Sequence, residues 1–104
     1  MLVITRHRPG AGQDVPALTE QGSQALAALK ERPGFVRGWC AVAADEPDLV
    51  LLASEWADVG SWRRAMSPVD VRMVVLPFMT SAVDEPTAFL ALDTAADAVH
   101  DGPL

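Results

Sequence analysis

Apolar residues recur along this chain with two different periods, and the changes between them mark out its elements. Leu2 to His7 is rich in β-branched residues and predicts a strand, closed by the turn formers Pro9, Gly10 and Gly12. Val15, Leu18, Gly22, Ala25, Leu26 and Leu29 then follow at three- and four-residue steps, while Thr19, Glu20, Gln24, Lys30 and Glu31 take the other side. That spacing predicts an amphipathic helix with one buried stripe, N-capped by Asp14, with Pro16 tolerated in its first turn and Pro33-Gly34 stopping it. Two strands, Phe35–Ala43 and Leu49–Trp56, flank the polar hairpin connection from Ala44 to Asp48. Asp58 can cap a short helix. Ser67-Pro68 predicts a fresh helix start, with Val71, Val74, Val75 and Phe78 on the buried side and Pro77 limiting its length. Thr87–Leu92 is the expected last strand. Asp93–Leu104 is an acidic tail, with a possible helical turn from Ala95 to Val99.

The resulting order, strand-helix-strand-strand-helix-strand, predicts an α+β ferredoxin-like domain. In it a four-stranded antiparallel sheet carries helices on one face. A sheet with one wet face should alternate apolar and polar residues. These strands do not: Leu49 to Ala53 is apolar throughout, and Gly38 to Ala44 carries no charge at either parity. The chain has no spare helices for the second face, so a second copy packed sheet to sheet is the simplest cover. At roughly 25 cal/mol per Å², an interface of about 2,000 Å² has ample gross driving force. A homodimer through the sheet faces is the expectation.

Composition narrows the partners. The net charge is -6; residues 1–72 are nearly balanced, but five acids and no Lys or Arg follow Met73. Such a surface repels phosphate backbones, which argues against nucleic acid. No apolar run reaches the roughly 20 residues needed to span a bilayer. Arg6 and Arg8 stand where a secretory signal would need its apolar stretch. A cytoplasmic, membrane-free protein is the expectation, and the single Cys40 supports neither an internal disulfide nor a metal site.

Two segments carry a family resemblance. Arg32-Pro33-Gly34-Phe35-Val36 resembles the approach to the second strand in the antibiotic-biosynthesis-monooxygenase family of dimeric α/β barrels. Ser54-Glu55-Trp56, followed by Trp62 and by Ser67-Pro68, resembles that family's passage from third strand to second helix. The similarity covers about residues 1–92. It implies the fold above and, for some members, cofactor-independent oxidation of phenol- or anthrone-like aromatics, with no metal or flavin. Haem-degrading members place a histidine on the second helix; Val74 and Val75 stand there without one, which sets haem degradation aside.

The candidate site follows from combining these. His7 shares a face with Val3 and Thr5, opposite Arg6 and Arg8, and is the best available base if that face turns to the helices. The plainer reading is a satisfied structural histidine. Arg72 is the candidate partner for a developing anion, or a side chain that snorkels to solvent or reaches an acid such as Asp70 or Glu55. Trp39, Trp56, Trp62 and Met66 are candidates to line an aromatic pocket, or are core and interface packing. The competing function is a non-catalytic homodimer that binds a small apolar ligand or none. The chain contains no Tyr, a residue such pockets often use as a polar handle.

Overall fold

The computed structural model describes residues 1–95. Its elements are β1 (Leu2–His7), α1 (Val15–Leu29), β2 (Phe35–Val42), β3 (Val50–Trp56), α2 (Val59–Ala65), α3 (Val69–Met79) and β4 (Ala88–Phe89). The strands form one antiparallel sheet in the order β2-β3-β1-β4, the α+β ferredoxin-like arrangement. Asp14 caps α1, its carboxylate accepting from the Ala17 N–H at 2.8 Å, and Asp58 caps α2 through Ser61 N–H at 2.7 Å. The α1 stripe is buried at Leu18, Gly22, Ala25 and Leu29. A Cβ at Gly22 would stand 2.7 Å from Cys40 Sγ and 3.1 Å from the Phe78 ring, so glycine there lets α1 lie close to both the sheet and α3.

Register settles which residues share a face. Val3, Thr5 and His7 of β1 and Val50, Leu52, Ser54 and Trp56 of β3 are all buried beneath the helices. With Leu18, Leu29, Val71, Val75 and Phe78 they make the core. The opposite face carries Leu2 and Ile4 of β1, Trp39 and Ala41 of β2, Leu51 and Ala53 of β3, and Phe89 of β4. No helix covers it. Arg6, Arg37 and Glu55 lie on the same face, and Arg37 Nε donates to Glu55 Oε1 at 2.7 Å. An apolar layer on the uncovered face is the pattern the non-alternating strands predict.

Four local expectations are corrected. The last strand is two residues long, not six. β4 runs antiparallel to β1 with Phe89 opposite Leu2, so Leu90 to Leu92 run past the start of β1 and have no strand to pair with. Ser67 is not the cap of α3. Its hydroxyl donates to the Arg63 carbonyl (3.3 Å) and its N–H to Arg64 (3.1 Å), which ties it to α2. Pro68, with extended backbone, takes the N-cap place with no side-chain bond. Val74 faces outward, and the buried side of α3 is Val71, Val75 and Phe78. Pro77 does not end the helix, which continues to Met79. Asp93 to Ala95 are irregular backbone; the remainder of the acidic tail, with most of its possible helical turn, lies outside the described residues.

Candidate functional site

His7 ends β1 on the helix side, as alternation from Val3 requires. Its accessibility is 0%, so no water-sized space touches it. Nε2 lies 2.6 Å from Thr5 Oγ1 and Nδ1 lies 3.0 Å from Ser81 Oγ. The ring stacks on Phe78 with centroids 3.7 Å apart and planes at 23°. Burial in this dry setting lowers the His7 pKa from 6.5 to about 4, against a smaller raising effect of the Phe78 carbonyl. The imidazole is therefore neutral at neutral pH.

Trp56, Trp62, Met66 and Arg72 gather elsewhere, around α2. Trp56 is 1% accessible, donates from Nε1 to Ser54 Oγ at 2.9 Å, and meets Phe35 edge-on at 5.3 Å. The Trp62 ring is tilted against it at 5.5 Å. Met66, one helical turn beyond Trp62, packs on the core. Arg72 lies on the exposed side of α3, where Nη1 donates to the carbonyl of Ser67 at 2.7 Å and reaches that of Met66 at 3.5 Å. It braces the corner between the two helices.

His7 and Trp56 stand at opposite ends of the sheet, because His7 pairs with Val50 and Trp56 is six residues further along β3. Six strand residues span about 20 Å. Trp39 lies on the other face altogether, 50% exposed, with the Arg37 guanidinium 5.8 Å from its ring centre. The six candidates therefore occupy three places. Near Trp39 the uncovered face holds a recess of about 250 Å³ lined by Arg6, Ala41, Val42, Ala43, Leu49 and Leu51.

Three residues around His7 were not singled out from the sequence. Alternation puts Thr5 on the correct face, but nothing in the sequence marks its hydroxyl as a partner. Ser81 is 74 residues from His7 along the chain, and no local pattern joins the two. Phe78 was expected in the core without its contact to the imidazole. Among the described residues no three His, Cys, Asp or Glu side chains gather as a metal site. Burial raises the Cys40 pKa, which keeps it a thiol.

No sequence family and no curated protein matches the chain. Solved structures do. A mutant of SnoaB, a cofactor-independent oxygenase from Streptomyces nogalater, superposes with a TM-score of 0.76 at 18% identity, covering 89% of this chain and 93% of that one. The chain has the fold of the antibiotic biosynthesis monooxygenases. A second SnoaB structure gives a TM-score of 0.63 at 23% identity, over 89% of this chain and 95% of that one. A protein of Nitrosomonas europaea, described as an antibiotic biosynthesis monooxygenase, gives 0.68 at 14% identity over 88% and 98%. No helix among the described residues is long and apolar enough to cross a membrane.

Proposed function

We propose that the chain is a cofactor-independent monooxygenase for a phenol- or anthrone-like aromatic, acting as a homodimer joined through its bare sheet faces. One observation carries the chemical part: His7 is a neutral imidazole in a dry setting, on a fold that a cofactor-independent oxygenase shares. A neutral imidazole has a lone pair for a proton. With its pKa held at about 4 it is a weak base, so the transfer depends on the new anion pairing with the imidazolium it creates. Removing a proton from a phenol O–H or an anthrone CH₂ leaves an electron-rich anion that reacts with O₂ directly. The CH₂ and O₂ become a carbonyl and water, so O₂ is both oxidant and oxygen source. The protein deprotonates, positions and excludes water. Turnover at His7 requires the Thr5 hydroxyl to leave Nε2 and the packing against Phe78 to open, while the Ser81 contact at Nδ1 stays in place. Phe78, and not the distant pair Trp56 and Trp62, is then the ring available beside the base. Arg72, held by two carbonyls at the α2–α3 corner, stays a structural brace under this scheme.

The closed packing around His7 and Trp56 favours a second reading, a non-catalytic homodimer whose inner face is packing alone. Oxygen uptake with a reduced anthrone separates the two. We expect uptake above the uncatalysed rate, falling at least about tenfold in His7→Gln. No uptake removes the oxygenase and leaves the second reading; equal rates in a folded variant remove His7 from the mechanism.

The dimer is tested separately. Trp39, Leu51 and Ala53 would be covered by the same residues of a second copy. Light scattering on a sizing column at micromolar concentration should give twice the 11.1 kDa chain mass. Trp39→Glu should shift the protein to the monomer, since an unpaired carboxylate is costly in an apolar interface. A wild-type monomer would overturn the dimer.

A further inference from the structure

We infer that Ser81 is a positioning residue that fixes the tautomer of His7, leaving Nε2 as a bare lone pair that takes hydrogen-bond donors and refuses anions. This deepens the oxygenase reading and rests on it for its catalytic meaning, but the tautomer itself stands on geometry alone. A serine hydroxyl has one proton to give. Ser81 Oγ lies 2.7 Å from the Phe78 carbonyl, which can only accept, so the proton is committed there. What Ser81 turns to His7 is a lone pair, and Nδ1, 3.0 Å away, must supply the N–H. A bare Nδ1 would set its lone pair against that of Ser81.

Nε2 is left without a proton in the neutral ring. Its neighbour Thr5 Oγ1, at 2.6 Å, must then donate to it. Thr5 thus occupies the position that a ligand O–H or acidic C–H would take. When such a group gives its proton to Nε2, the imidazolium keeps its Nδ1–H on Ser81 and nothing else in the network has to rearrange. A carboxylate or phenolate would bring a second lone pair against the first. The site is built to receive a neutral acid and hand back its anion.

Nitrogen NMR of the full chain, ¹⁵N-labelled in histidine, reads this directly at neutral pH. The expected spectrum has His7 Nδ1 protonated and Nε2 bare. Ser81→Ala should lose that single-tautomer signature, and Ser81→Thr should restore it; the wild-type spectrum decides even if a variant fails to fold. A protonated Nε2 in the wild type, or an unchanged tautomer in folded Ser81→Ala, overturns the proposal. Added phenol should shift the Nε2 resonance and added benzoate should not. An equal shift with benzoate, or none with phenol, overturns the donor preference. Because none of these measurements needs turnover, a fixed tautomer without oxygen uptake would defeat the oxygenase and leave the role of Ser81 standing.

Discussion

Acidifying the protein from pH 6.5 to pH 4 is expected to remove about 3 kcal/mol of folding stability through His7 alone. The unfolded chain takes up a proton on this imidazole near 6.5, while burial holds the folded value down to about 4. Between those limits the unfolded state binds one proton more. Stability therefore falls as the pH drops, by about 1.4 kcal/mol per unit, and the full contribution is present only above 6.5. Phe78 stacked on one side and the Thr5 and Ser81 hydroxyls at either nitrogen keep water from the charged form. Urea unfolding at half-unit pH steps measures the slope. His7→Gln should flatten it over this window, leaving only the carboxylates below. Parallel slopes for wild type and variant would mean that the imidazole is solvated in the folded state.

Trp56→Ala should cost about 3–5 kcal/mol, the range for emptying a large aromatic site in a core that cannot collapse to fill it. Trp56 is the largest fully buried side chain and joins Phe35, at the start of β2, to Trp62 on α2. Its loss leaves Ser54 Oγ without the indole N–H. For a domain of this size the melting temperature should drop by more than about 10 °C. Trp56→Phe should recover most of the loss, because it refills the volume and gives up one hydrogen bond. Denaturant midpoints at a fixed protein concentration report the difference. A cost below about 1 kcal/mol for the alanine variant would contradict the packing described.

Local rules in the sequence determined most of the frame. Asp14 and Asp58 name their helices because a carboxylate at that place has one evident use. Pro33-Gly34 turns the chain after α1 into β2: Gly34 adopts a left-handed φ of 87° and lies directly under Ser61, where a side chain would collide. The bare apolar face was legible from Leu49 to Ala53, since alternation fails there for a reason that burial explains. What escaped was whatever depended on a distant partner. The last strand looked six residues long because its composition suits a strand, yet β1 offers it two residues to pair with. Grouping His7 with Trp56 required knowing where along the sheet each strand ends. Position within a strand gives the face, whereas register gives the end. The Thr5–His7–Ser81 arrangement depends on a turn 74 residues away, and no periodicity carries that distance.

The brevity of β4 has an effect on the sheet's rim. Along the flank of β1 that β4 leaves free, irregular backbone does the pairing: Ile4 N–H donates to Thr87, Arg8 N–H to Ser81, and Val83 N–H donates to Arg6. That border is therefore sealed without a full strand. β2 lies at the other end of the strand order, bonded only to β3 within the sheet, so among the described residues its outer row of amides and carbonyls is the long unsealed margin. Strand-to-strand accretion between molecules, of the kind that seeds fibrils, has its natural starting line there.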